Sequence, residues 1–259
     1  MIGLEQRGTA LYRAAVDTVR MYAGPGMGWY PLGITLARLG LGRDAQRVIR
    51  EWPVYWQFFV NGWGHYGPLA IMKAESTLPG RLSHHRVTDV SLPAASRARE
   101  SIPFRSYPFR HMGMEAMSVL AGALNESLLQ SHEKIIRVAP AVAKDQSARF
   151  TLHAEGGFVV SAEIEAGRPR WIGLTSRRGG SCRVANPWPA AVLYAGGRKL
   201  GRYPGRIVEF NATAGGRYLL VPNDVIFRRW TTGAVRPARN EQAKVHVSGY
   251  ASLGLPRMF

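Results

Sequence analysis

Cysteine is almost missing from this 259-residue chain, where Cys182 stands alone. A single thiol excludes an intrachain disulfide framework and any zinc site built from several cysteines; Cys182 reads as a small residue in a loop. Long apolar runs are missing too. No stretch approaches the ~18 apolar residues of a membrane span, so no membrane partner is expected. The first residues, MIGLEQRGTALYRAAV, are interrupted by Glu5, Gln6, Arg7 and Asp17. They lack the basic start and apolar run of a secretory signal peptide, and the chain as given reads as soluble. The compartment stays open, because a chain without disulfides suits cytoplasm or periplasm.

Acidic residues are scarce: 17 Asp and Glu face 34 Lys and Arg, a formal charge of +17. That balance favours acidic partners in general. The bases are scattered, however. The tightest groups are Arg177-Arg178 and Arg228-Arg229, and no run of five exists. An arginine-rich surface is the expectation, with no dedicated nucleic-acid site. The chain also lacks a P-loop, an HExxH, a dinucleotide fingerprint and a GxSxG. His84-His85 is a loop pair without a partner pattern, so no metal and no cofactor are expected.

Hydrophobic residues make up 46% of the chain, enough for a substantial core. The first ~140 residues carry helical spacing. From Ala10 to Tyr22 the set Leu11, Ala14, Ala15, Thr18, Val19 and Tyr22 follows the i, i+3, i+4, i+7 rule, and Gly24-Pro25-Gly26 ends it. A second helix is predicted from about Trp29 to Leu39. A third runs from Arg43 to Trp52, with Pro53 as its breaker. Residues 74–110 read as a long loop or flap. Glu115 to Leu129 is the clearest helix, with Met114, Met117, Ser118, Ala121, Leu124, Leu128 and Leu129 as its apolar face.

Near residue 148 the period changes to two. Strands are predicted at 149–154, 158–165, 170–176, 182–184, 191–194, 206–210, 217–221 and 243–247, parted by Gly-rich turns. Short strands at that spacing argue for an antiparallel sandwich. The fold class expected is therefore α+β and multidomain: helices over 1–143, then an antiparallel β-sandwich over 144–259.

Three groups of phrases resemble one family. The first comprises Leu4-Glu5-Gln6-Arg7-Gly8, Gly28-Trp29-Tyr30-Pro31-Leu32, Ala37-Arg38-Leu39-Gly40 and Arg43-Asp44-Ala45. The second is Asn125-Glu126-Ser127-Leu128-Leu129-Gln130-Ser131-His132 with Ile136-Arg137-Val138-Ala139-Pro140-Ala141. The third runs from Phe150 to Asn186-Pro187-Trp188. Together they are similar to the α-L-fucosidase family of inverting glycosidases, glycoside hydrolase family 95. The resemblance implies the last helices of a partial (α/α) six-hairpin barrel, followed by that family's β domain. It implies a carbohydrate partner. The family's general acid lies upstream of the first phrase, so a missing N-terminal barrel segment is implied as a further partner. The alternative is a non-catalytic carbohydrate-binding or structural remnant of such an enzyme.

The family's general base, an Asp in an Asp-Gly-Asn-Phe-Gly phrase, falls on Glu115 when counted back from Leu128-Leu129-Gln130. Ala116, Met117 and Ser118 stand where the family has Gly, Asn and Phe. Glu115 is thus the candidate base, and the other reading of it is a helix-start charge favoured by the macrodipole. Aromatics crowd residues 52–66. Sugars stack on such rings, and polar groups beside them orient the ligand. Trp29, Asn61, Trp63, His65 and Tyr66 are the candidate glycan contacts, because NGWGHYG reads as a loop and loops carry function.

Overall fold

A computed structural model describes residues 2–21, 31–55, 64–65, 112–113, 115–223, 246–247 and 250–251. Among the described residues, four α-helices and a set of antiparallel sheets make an α+β fold. The chain divides into two units, residues 1–36, 44–124 and 238–259 in one and residues 37–43 and 125–237 in the other.

The helices are α1 (Ala10–Met21), α2 (Leu32–Arg38), α3 (Gly42–Tyr55) and α4 (Glu115–Leu128). Two of them turn a different face inward from the one their spacing suggested. In α1 the buried residues are Tyr12 and Val16, while Leu11 is 57% exposed. The stripe 12, 15, 16, 19 obeys the same helical spacing as the predicted one and buries the larger ring. In α4 the buried residues are Leu120, Ala123 and Ser127, and Leu124 lies at 47% exposure. Small residues decide this. A Cβ on Gly33 of α2 would stand 2.8 Å from the Ala123 Cβ, and one on Gly122 would stand 2.9 Å from Ile34 Cδ1. Backbones approach where side chains are smallest, so the glycine side of α4 packs inward. Helix α3 runs through Pro53 to Tyr55, past the predicted break. A proline this close to the C-terminus gives up one backbone bond only, and the helix stops two residues later.

Short strands β1 (Gly64–His65) and β2 (Met112–Gly113) pair antiparallel. After α4 come β3 (Leu129–Gln130) and β4 (Arg137–Val138), also antiparallel. The sheet region follows: β5 (Ala148–Ala154), β6 (Phe158–Glu165), β7 (Arg168–Ser176), β8 (Gly180–Ala185), β9 (Ala191–Ala195), β10 (Arg198–Tyr203), β11 (Ile207–Ala212) and β12 (Arg217–Pro222). A last pair is β13 (His246–Val247) with β14 (Tyr250–Ala251).

Six strands form one sheet in the order β10-β9-β12-β7-β6-β5, and β11-β8 form a second. Alternate residues of the large sheet, among them Phe158, Val160, Ala162, Ile172, Leu174, Leu193 and Leu220, share one core with Cys182, Val184 and Val208 of the small one. That is the layered antiparallel arrangement the period-two pattern called for. Strand β10, sequence RKLGRY, was not predicted. It is a sheet edge with a register shift between Lys199 and Gly201, and its residues are mostly exposed, so no alternation marks it.

The other face of the large sheet is mixed. Val192, Leu219 and Val221 cluster there with Trp171 and Tyr194. Beside them Glu163 accepts hydrogen bonds from Arg149 Nη2 (2.7 Å) and Trp171 Nε1 (3.1 Å). Burial works to raise the Glu163 pKa. The bonds from Arg149 and Trp171, with the charges of Arg149 and Arg170, outweigh it and hold the carboxyl below its ordinary value.

Leu174 is fully buried in the shared core. Leu174→Ala is expected to cost about 2–5 kcal/mol, read by chemical denaturation. Because the folded Glu163 pKa lies below the unfolded one, its stabilisation is present above the ordinary carboxylate range and is lost as pH falls through the folded value. Glu163→Gln should therefore lower stability by about 0.2–1 kcal/mol at neutral pH. The gap to the native chain should close in thermal melts taken at progressively acid pH.

Candidate functional site

Two places in the chain gather the residues that sequence singled out. The first is built by β1 and β2. Backbone register sets His65 opposite Met112 and Gly64 opposite Gly113. Residues 64 and 113 are far apart in sequence, so only tertiary structure brings them together. Glu115 follows Met112 by three residues, a reach of at most roughly 10 Å. The candidate base and the histidine of the NGWGHYG phrase are thus anchored to one small antiparallel pair. Glu115 is exposed in the first turn of α4, where the positive end of the helix dipole favours a carboxylate. Among the described residues it has no ion pair or hydrogen bond. Trp29, Asn61, Trp63 and Tyr66 lie outside the described residues.

The second place joins the Ala37-Arg38-Leu39-Gly40 and Asn125–His132 phrases. The last carbonyls of a helix have no donor inside it and need one from elsewhere. Gln130, only 2% exposed, donates from Nε2 to the Ala37 carbonyl of α2 (2.9 Å) and the Glu126 carbonyl of α4 (3.0 Å). The Ala139 and Ala141 amides donate to the next two, the Leu128 (2.8 Å) and Ser127 (3.3 Å) carbonyls. Arg38 Nη2 donates to Glu126 Oε1 at 2.9 Å. That bond to Glu126, against the cost of burial and aided by the Glu126 charge, holds the Arg38 guanidinium above its ordinary pKa. The other Glu126 oxygen, Oε2, and Gln130 Oε1 are buried and accept no hydrogen bond from the described residues.

The turn that follows is held by Arg137, 4% exposed, which donates to the His132 and Ile135 carbonyls and to Glu133. Glu133 and Lys134 take left-handed φ values of 60° and 58°. The Asn186-Pro187-Trp188 phrase is likewise structural. The Asn186 amide donates to the Tyr203 and Gly205 carbonyls, its oxygen accepts from the Trp188 amide, and Trp188 Nε1 donates to the Pro169 carbonyl. Cys182 is buried, and desolvation pushes its thiol up to about 12, so it offers no nucleophile at neutral pH.

The resemblance carries no mark of these phrases' work as helix caps. Gln130 was the available signal: an amide directly after the apolar Leu128-Leu129 pair at a helix end needs a polar partner when buried.

No protein-family profile matches the chain, and no curated protein matches it in sequence. Among solved structures it is similar to a GH127 β-L-arabinofuranosidase from Geobacillus stearothermophilus T6, at 13% identity and a TM-score of 0.30. The match covers 74% of this chain and 30% of that one.

Gln130→Ala removes one donor from two helix-terminal carbonyls and is expected to cost about 1–3 kcal/mol. Glu126→Gln keeps the shape and loses only a partly exposed ion pair, about 0.2–1 kcal/mol. Equal losses for the two variants in denaturant titrations would contradict the capping role.

Proposed function

We propose that the chain is glycosidase-like: part of an (α/α)-barrel glycoside hydrolase related to the α-L-fucosidases, acting on a carbohydrate, with Glu115 as general base. The observation that carries this reading is the β1–β2 pairing, which ties His65 of the aromatic loop to the segment leading into Glu115. The sequence resemblance supports it independently, because the count from Leu128-Leu129-Gln130 falls on Glu115 in the first turn of α4.

In an inverting glycosidase one carboxylate takes a proton from water while a carboxylic acid protonates the leaving oxygen. The two groups stand about 6.5–9.5 Å apart to admit that water. Glu115 fills the first role. Its carboxylate is exposed and unpaired among the described residues, so it is free to hold a water. His65, Asn61, Trp29, Trp63 and Tyr66 hold the sugar through stacking and polar contacts. The leaving-group acid belongs to the upstream barrel segment that the resemblance implies.

The second reading is a carbohydrate-binding remnant without turnover. The exposure of Glu115 favours it, because working acid–base carboxylates are commonly buried or paired so that their pKa values are tuned.

Hydrolysis of a panel of 2,4-dinitrophenyl glycosides, α-L-fucoside included, separates the two, because that leaving group departs without a proton from an acid and so tests the base alone. The first reading expects turnover that Glu115→Ala and Glu115→Gln lower by about 10²–10⁴-fold. Turnover unchanged in both variants removes Glu115 as the base, and no turnover in the native chain leaves the binding reading.

A further inference from the structure

Between residues 144 and 223 the chain carries twelve Lys and Arg against five Asp and Glu. Arg149, Arg170 and Arg183 pair with Glu163, Glu165 and Glu209. Nine bases are left over, and strand register gathers them toward the two ends of the large sheet: Lys144, Arg168, Arg202 and Arg206 lie toward one end and the other five at the opposite end. Arg198 and Lys199 open β10, opposite Ala195 and Tyr194 of β9. Ala195 in turn faces Tyr218 of β12, next to Arg217, and Arg217 faces Thr175 of β7. Arg177 and Arg178 follow directly where β7 ends, with the Arg177 amide donating to the Gly157 carbonyl.

All five side chains are exposed, and none has an ion pair among the described residues. From β10 to β7 is three strand spacings, about 14 Å. Glu155, in the turn between β5 and β6, is the acid at this end among the described residues, and its backbone amide donates to Ser131 Oγ. Like charges gathered at this density repel one another, and charged side chains on an edge strand resist edge pairing. Protection of β10 does not account for Arg217, in the interior strand β12, or for Arg177 and Arg178, in the turn after β7.

We propose that this end of the sheet binds an acidic polysaccharide, a chain whose sugars carry carboxylate groups. The inference rests on the carbohydrate reading above and names the charge of the polymer. Bases on β10, on β12 and in the turn after β7 span about 14 Å and suit a repeated anion along an extended chain. Nucleic acid fits less well. Single strands are held by aromatic platforms, and Tyr194, opposite Lys199 in the register, is packed with Val192, Leu219 and Val221. Duplex readers insert a helix or ribbon into a groove, and the described residues at this end are strand ends and tight turns.

The test is calorimetric titration of the full chain with polygalacturonate, neutral dextran and a single-stranded DNA oligonucleotide near physiological salt. Binding is read without turnover, so inactivity toward glycosides does not decide it. Two triple variants, both exposed-site reversals checked by thermal melting, complete the design. R198E/K199E/R217E alters the basic end, and K144E/R168E/R206E changes the same charge elsewhere. The expected result is binding of polygalacturonate but not dextran, weakened roughly tenfold or more in the first variant and little in the second. Equal weakening in both variants, DNA binding as tight as polygalacturonate, or no polygalacturonate binding would each overturn the proposal.

Discussion

Helix ends leave carbonyls that must find a donor, and one buried amide meets that demand for two helices at once. Gln130 reaches the Ala37 carbonyl across 93 positions of sequence and the Glu126 carbonyl one turn back. The backbone after it continues the task, since Ala139 and Ala141 serve the Leu128 and Ser127 carbonyls. The phrases that resemble the glycosidase family at the end of α4 are therefore first of all a capping device. Their side chains and backbone fix where α4 stops and where the sheet region begins. Ile136 extends that anchoring by exchanging backbone bonds with Arg183 and Ala185 of β8.

The sheet region has a different logic. Its core lies between a six-stranded and a two-stranded sheet, and residues such as Val160, Ile172, Leu174 and Val184 are fully buried there. Burial of this kind is non-directional, so hydrogen bonds must specify the connections. Asn186 does this for the turn between β10 and β11 by holding two of its carbonyls. The outer face holds Arg149, Glu163 and Trp171 in a row set by strand register. Charge is thus paired near the β6–β7 hairpin and unpaired where β7 ends.

Sequence made the strand region legible because alternation survives wherever one face is buried, as in β6, whose residues from Phe158 to Ile164 alternate between buried and half-buried. It failed at β10, where both faces of an edge are wet and a bulge breaks the period. The helices existed as predicted, yet the inward faces of α1 and α4 were rotated. Counting large apolar residues misses close backbone approach, and the Gly33–Ala123 and Gly122–Ile34 contacts depend on small ones. At the candidate site, Glu115 was readable by counting from the Leu128-Leu129-Gln130 phrase. The pairing of His65 with Met112 was not, because two-residue strands carry no period.

The carbohydrate site proposed at the β1–β2 pair and the start of α4 is open to saturation-transfer NMR of the chain with a mixture of monosaccharide glycosides, an experiment that needs no turnover. Transfer to the ring protons of at least one sugar is expected, lost in His65→Ala while the fold is retained. Absence of transfer to every sugar, or transfer unchanged by that substitution, would contradict it.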